Sequence, residues 1–387
     1  MEKLEIIERL AKEIWNECYS DILSKEQIDY MLNKFLTVDA MKKYPNMHYV
    51  LIDEGFYAYE INSDHLFLSK LYLKKEFRGK KIAKKIINSL LEYKLPIILT
   101  VNKNNQAYYA YLKMGFKVID SVISDIGNGY VMDDYIMKLD VINEKAYAKI
   151  NLNLHVLGKR DDGYHELESL MLPIDLYDEI ILISSQNLEY ETSIENDIII
   201  KAYNLMKEYF KIDEGVKIIL NKKIPIGAGL AGGSACASAV IRGLNKLWKI
   251  NASLDELARI SLMIGSDTGF CMYNKPAIIK GRGDIIEFVT YEENRYLFLL
   301  NPKFMVSTKE IFDNYQNEKA ENDLEPVTMR LYPQLKSIKE EFKKYNLDLK
   351  MSGSGPTLFA FSSNLALLNE LKKIYTDYLI IITKIKS

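Results

Sequence analysis

Apolar residues recur at three- and four-residue spacing from Ile6 to Phe35, the period of two amphipathic helices, and Ser24 stands as an N-cap ahead of KEQIDYMLNKF. The period then shortens. HYVLIDEG and FYAYEIN are short β-rich runs around a turn at Asp53 to Gly55, and HLFLSKLYL alternates as a third strand. FRGKK is a basic turn that opens the helix IAKKIINSLLEY. After it come a buried strand, PIILTV, a helix, NQAYYAYLKMG, closed by Gly115, and a closing pair of strands, FKVIDSVISD and YVMDDYIMKLD. Leu139 to Glu144 reads as a join. Beyond it KINLNLHVL alternates as one strand, the polar GKRDDG makes a tight turn into the strand HELESLMLPI, and ARISLMIGSDTGFCMYNKPAIIKGRGDIIEF carries a helix, a turn and two strands. Helices and strands mix on both sides of the join. That order predicts two domains of α+β or α/β class, residues 1–142 and 143–387.

A length of 387 residues suits two such domains, each burying its own core. With 27% charged residues and a net charge of −2, nothing points to nucleic acid or an anionic membrane surface, and small molecules are the expected partners. Cys18, Cys236 and Cys271 have neither disulfide pairing nor metal-ligand spacing, which fits a reducing cytoplasm and no protein-held metal. MEKLEIIERLAKEIW mixes acids and bases, and no apolar run approaches the roughly 18 residues of a membrane span. A soluble, untargeted, cytoplasmic protein is expected.

Candidate chemistry centres on residues 225–239, PIGAGLAGGSACASA, where glycines and small residues crowd ahead of AVIRGLNKLW, an apolar run with helical spacing. Gly227, Gly229, Gly232 and Gly233 are expected to adopt positive φ and let the backbone approach a ligand, and the amides at the start of the helix face an anion. Ser234 adds a hydroxyl for phosphate or magnesium. The stretch has neither the Gly-Lys-Ser/Thr ending of a Walker loop nor the spacing of a dinucleotide fingerprint. A plain linker would not run unbroken into an amphipathic helix.

In the first domain the motif N-x-x-A-x-x-x-Y-x-K-x-G-F stands as Asn104, Ala107, Tyr111, Lys113, Gly115 and Phe116, and the basic turn reads Arg78-Gly79-Lys80-Lys81-Ile82-Ala83. Together with the order of elements, these resemble the GNAT acetyltransferase family over nearly the whole segment. The resemblance implies that the turn, with Asn104, binds acetyl-CoA through amides at a helix start. It also implies that Tyr111 is the acid for the leaving CoA thiolate, a role suited to a phenol with a pKa of about 10. Lys81 stands where that family has glycine. Without the resemblance, Tyr111 reads as a core aromatic.

In the second domain a lysine, Lys149, lies inside an apolar strand. It is either a snorkelling surface residue or a buried ammonium in need of an anionic partner. Asp267 falls in the turn after a helix, where it is either a cap or a functional carboxylate. A-K-I-N-L-x-L, G-K-R-x-D-G-Y-H-E-L-x-S-L-M, P-x-G-A-G-L, I-G-S-D, G-R-G-D, N-D-L-E-P and M-S-G-S-G-P stand in the order of the GHMP kinase family, which residues from about 145 to 385 resemble. The D-G-Y-H segment points to the branch whose substrate is a cytidine-diphosphate-linked polyol.

The resemblance implies ATP with Mg2+, and transfer to the 2-hydroxyl of 4-diphosphocytidyl-2-C-methyl-D-erythritol in non-mevalonate isoprenoid synthesis. It assigns catalysis to Asp267 and Lys149, and substrate binding to Asn151, Tyr164, His165, Thr308 and Phe312. ATP would lie on Pro225, Ile226, Gly227, Ala228, Gly229, Leu230, Ala231, Gly232, Gly233, Ser234 and Ala235, with Gly353 and Gly355 lining the site. A second lobe is expected from about Lys303.

Several positions depart from that family. Ala231 replaces a glycine, at a cost of about 1 kcal/mol if φ is positive there. Ala235 replaces a serine, Cys236 an acid or amide, Thr268-Gly269 a Val/Ile-Pro pair, and Asp197 an asparagine near adenine. Two readings therefore stand: an active kinase with weakened ATP binding fused to an acetyltransferase, or an acetyltransferase whose kinase-like half is a weak or inactive ligand-binding module.

Overall fold

The computed structural model describes residues 2–161, 163, 165–192 and 197–386. The chain divides into two compact units. The first runs to Ile142 and also takes in Ile181–Tyr190 and Glu214–Ile218; the second is the remainder.

In the first unit α1 (Glu2–Cys18), α2 (Lys25–Phe35) and the short α3 (Val38–Lys42) precede β1 (His48–Ile52), β2 (Gly55–Ile61) and β3 (Leu66–Leu73). The segment continues through α4 (Ile82–Leu90), β4 (Ile97–Asn102), α5 (Ala107–Lys113), β5 (Lys117–Gly127) and β6 (Tyr130–Leu139). Ser24 caps α2 as its position predicts, accepting from the Gln27 amide. The six strands form one sheet in the order β1-β2-β3-β4-β6-β5, and only β3 and β4 run parallel. Ile7, Ile14, Trp15, Ile28 and Leu32 of α1 and α2 bury their apolar stripes with Phe56 and Met132 of the sheet. β3 pairs with β4 only at Leu66–Leu68, and a bulge at Ser69 shifts its register against β2. A bulge increases twist, and past it the two strands part to open a cleft.

The second unit is built from β7 (Val141–Asn151), β8 (His155–Lys159), β9 (His165–Ser185), α6 (Ile198–Phe210), β10 (Gly215–Asn221), α7 (Gly232–Leu247), α8 (Leu254–Ser261), α9 (Thr268–Tyr273), β11 (Ala277–Gly281) and β12 (Ile285–Phe288). Its sheet follows the order β10-β9-β11-β12, and β7 and β8 also pair with β9. A second, four-stranded sheet, β14-β15-β13-β16, is made by β13 (Tyr296–Asn301), β14 (Lys350–Met351), β15 (Leu358–Ser362) and β16 (Leu379–Thr383). With it go α10 (Thr308–Asp313), α11 (Glu325–Leu331), α12 (Pro333–Lys343) and α13 (Leu365–Ile374). Phe298, Leu300, Ile311, Val327, Leu335, Phe342, Leu358 and Leu368 make one core, and Ala148, Ile150, Leu172, Ala228, Leu230, Leu299 and Phe359 another.

Four expectations are corrected. KINLNLHVL is not one strand: it breaks between β7 and β8, because the Asn153 side chain accepts from the Leu170 amide at 2.7 Å and the Leu154 amide turns to the Glu321 carbonyl at 3.0 Å. α7 starts at Gly232, so Gly232 to Ala235 are its first turn and not loop. α9, a second helix after Asp267, went unforeseen. The sheet of the second lobe begins at Tyr296, ahead of Lys303, because β13 pairs with both β15 and β16. Among the described residues no helix is long and apolar enough to cross a membrane.

Candidate active site

β7 delivers Lys149 and Asn151 to one point, and the turn into α9 delivers Asp267. The Lys149 ammonium stands 3.7 Å from the Asp267 carboxylate and donates to the Asn151 side-chain oxygen at 2.6 Å. Asn151 in turn donates to Ser169 Oγ at 2.8 Å, and that hydroxyl donates to the Asn153 carbonyl at 2.6 Å. Lys149 is only 4% exposed, so it does not snorkel; it is a buried cation with a carboxylate beside it. Asp267 occupies the cap position of α9, yet its side chain caps no amide. The carboxylate is left partly open to solvent and directed at the lysine.

The backbone of neighbouring turns holds Asp267 in place. The Thr268 hydroxyl donates to the Ser261 carbonyl at 2.7 Å, and the Thr268 carbonyl accepts from Ser238 of α7 at 2.9 Å. The turn between β11 and β12 packs under Ser266 so closely that a Cβ at Gly283 would lie 2.2 Å from the Ser266 carbonyl oxygen. Only glycine fits there.

The glycine stretch lies over this pair. Positive φ occurs at Gly227 (67°), Gly229 (73°) and Ala231 (55°), while Gly232 and Gly233 are helical, which corrects the expectation for those two. Leu230 accepts from the Lys149 amide at 3.2 Å, so the loop is laced to β7 beside the reactive pair. Ala228, Leu230 and Ala235 are buried, Ile226 projects into solvent, and Pro225 and Ser234 are intermediate. A second loop, Ser352 to Gly355, abuts the first: a Cβ on Gly229 would meet the Gly355 carbonyl oxygen at 2.6 Å. Asn322, of the N-D-L-E-P motif, holds that second loop by donating to the Met351 and Gly353 carbonyls at 3.0 and 2.8 Å. Ser169, Asn322 and Ser352 stand within motifs legible in the sequence, but their roles show only where the fold gathers them. Asp197 has a structural task, accepting from the Ile199 amide at the start of α6 and from the Thr192 hydroxyl, both at 2.7 Å.

Of the residues expected to hold a pyrimidine, Tyr164 lies outside the described residues. His165 stacks directly on Phe312, with ring centroids 4.8 Å apart and planes 20° from parallel. Thr308 Oγ1 and Ser354 Oγ are hydrogen-bonded at 2.8 Å. No base fits between the two rings as they stand, so stacking is open only on an outer face. Burial, and then the nearby Lys159 charge, hold the His165 pKa below its ordinary value.

In the first unit Arg78, Gly79, Ala83, Asn104 and Tyr111 line one cleft of about 1110 Å³, whereas Lys80, Lys81 and Ile82 do not line it. Lys81 precedes α4 in the left-handed region (φ 62°), the conformation that glycine would take most readily. Arg78 is tied to the Leu73 carbonyl at 2.9 Å and to Glu17 at 3.1 Å. Tyr111 is buried edge-on against Phe116, and burial pushes its phenol well above the ordinary value. Lys70 and Asp134 also line the cleft. Like Lys149, Lys70 is a lysine inside an apolar strand.

Both units match known protein families. Residues 197–275 match the GHMP kinases N terminal domain, residues 305–380 the GHMP kinases C terminal domain, and residues 19–137 the Acetyltransferase (GNAT) domain. The chain is thus a transferase that joins a GNAT domain to a GHMP kinase fold. Within that class it belongs to the 4-diphosphocytidyl-2-C-methyl-D-erythritol kinase family. It is 40% identical to that kinase of Bacillus pumilus over 251 residues, 56% of this chain and 87% of that protein. It is 39% identical to the Thermoanaerobacter pseudethanolicus kinase over 269 residues, 61% of this chain and 91% of that one. A solved 4-(cytidine 5'-diphospho)-2C-methyl-D-erythritol kinase superposes with a TM-score of 0.55 at 25% identity, covering 63% of this chain and 99% of that one.

Proposed function

We propose that residues 143–387 transfer the γ-phosphoryl group of ATP to the 2-hydroxyl of 4-diphosphocytidyl-2-C-methyl-D-erythritol, a step toward isoprenoid precursors in the cytoplasm. The observation that carries this reading is the Lys149–Asp267 pair set beside two interlocked glycine-rich loops. Asp267 accepts or orients the hydroxyl proton as the oxygen attacks phosphorus. Lys149 offsets charge on the transferring group, and Asn151 holds Lys149 in position. The first amides of α7 face the phosphates. His165, Thr308 and Phe312, with Tyr164, recognise the cytidine end.

Asp267 and the Ser234 hydroxyl, which has no hydrogen bond to a described residue, are oxygen donors that suit a magnesium ion completed by phosphate and water. When bound, that ion would neutralise phosphate charge. The buried pair also speaks against an inactive kinase-like half, because a lysine kept desolvated beside a carboxylate is costly where it does no chemistry.

For residues 1–142 we propose acetyl-CoA-dependent acetylation of an amine, with the cofactor's phosphates at Arg78–Ala83 and its thioester arm in the cleft. Asn104 lies along that arm. A phenol raised by burial is a poorer acid toward a thiolate, so Tyr111 serves as the cleft wall.

The test of the kinase reading is substitution at the reacting centre. Asp267→Asn and Lys149→Ala should each lower kcat by about 10²-fold or more with the thermal transition retained. A variant with near-parental turnover would remove that residue from the mechanism.

A further inference from the structure

Lys70 sits on β3 immediately past the Ser69 bulge and lines the cleft of the first unit. Across the sheet its row is Tyr49, Ala58 and Lys70, and its ammonium lies 5.8 Å from the Tyr49 ring and 3.1 Å from Ser69 Oγ. Glu17, Asp21, Glu60, Arg78 and Asp134 are the charged groups lining the same cleft. None of them offsets its desolvation, for burial alone sets its titration. Asp134 is itself pushed up by burial and by Asp133. The cleft thus holds a partly buried amine that makes no ion pair with a described residue.

Leu73 leads into the turn proposed for the cofactor phosphates. Lys70 lies three residues back along β3, roughly 10 Å. Between them β3 has left β4, so the facing strand edges are free to receive an extended thioester arm. That path ends beside the Lys70 amine.

We propose that Lys70 is an acetyl acceptor, and that the chain, loaded with acetyl-CoA, acetylates its own Lys70. The inference rests on the acetyl-CoA reading of this cleft. The neutral amine attacks the thioester carbonyl, a C–N bond forms and the C–S bond breaks. CoA leaves as the thiol, taking up the proton the nitrogen sheds, and nothing is oxidised or reduced. Burial lowers the Lys70 pKa to about 8. At pH 7.5 about a quarter of the side chain is then free amine, against about 0.1% for a solvated lysine. The product is an amide that does not pass the group on, and it replaces a desolvated ammonium by a neutral side chain within the cleft.

The experiment uses the full chain. Acetyl-CoA binding is measured by calorimetry, and site occupancy by peptide mass spectrometry after incubation with acetyl-CoA or with acetyl phosphate, which needs no cofactor site. The expected result is acetylation of Lys70 that saturates with acetyl-CoA and runs at least about ten-fold faster than at exposed Lys25 and Lys43. Its rate should rise with pH and level off past about 8, and the reaction with acetyl phosphate should not saturate. Lys70→Arg should bind acetyl-CoA with that fast site gone; should it fail to fold, the parental site ratio decides alone. Acetyl-CoA bound with Lys70 unmodified, or modified no faster than surface lysines, overturns the proposal. Failure to bind acetyl-CoA overturns the cofactor reading, and the proposal with it.

Discussion

Ala231 and Lys81 occupy equivalent places in two unrelated sites. Each is the residue before a helix whose amides we propose face phosphate, and each holds a left-handed backbone with a side chain attached (φ 55° and 62°). The left-handed backbone at Ala231 belongs to the turn that starts α7, so its strain is a cost to folding rather than to ATP binding. Ala231→Gly should therefore stabilise the chain by about 0.5–1 kcal/mol in denaturant unfolding and leave the ATP Michaelis constant within about two-fold. A large fall in that constant would mean that the loop relaxes in the free enzyme and is strained only on binding. Ala235 is buried, so a serine there would bring its hydroxyl into packed surroundings and not to phosphate. His165 carries a pH prediction. Burial, and then the Lys159 charge, lower its pKa, so the ring is neutral at pH 7 and above. The Michaelis constant for the cytidyl alcohol should be flat above about pH 7 and rise on acidification below the ordinary histidine value. A change between pH 7 and 8 would contradict that assignment.

Among the elements, the supports of Asp267 matter as much as the residue itself. Gly283 combines positive φ (107°) with contact to the Ser266 carbonyl, so Gly283→Ala must displace the turn that presents the carboxylate. The expected outcome is a fall in kcat of about ten-fold or more with a smaller change in either Michaelis constant. An unchanged kcat would show that the hairpin does not set the position of Asp267. Long periodic elements were legible in the sequence: the capped α2, the hairpin β1–β2 and the run from α4 to β6 stand where period and turn residues put them. The start of α7 was not, because Gly232, Gly233 and Ser234 have the composition of a loop, and tertiary packing made them helix. The break after Asn151 was hidden as well. It depends on where asparagine side chains find backbone partners, which alternation cannot reveal. Lys149 and Asp267 were legible as candidates through motif order, yet their meeting at 3.7 Å is a property of the fold.

At the scale of the whole molecule the chain carries two sites of different chemistry in two units. The expected join at 142/143 gave no hint that Ile181–Tyr190 and Glu214–Ile218 cluster with the first unit. There the Ser184 hydroxyl donates to the Gly115 carbonyl at 2.9 Å, a pairing far apart in sequence with no local signal. A working kinase in the second unit is tested by ATP consumption of the purified full chain with magnesium, with and without 4-diphosphocytidyl-2-C-methyl-D-erythritol. The expected turnover needs the cytidyl alcohol, saturates with it and yields its 2-phosphate in step with ADP. ATP consumption indifferent to that alcohol, or none at all by the folded chain, would contradict it.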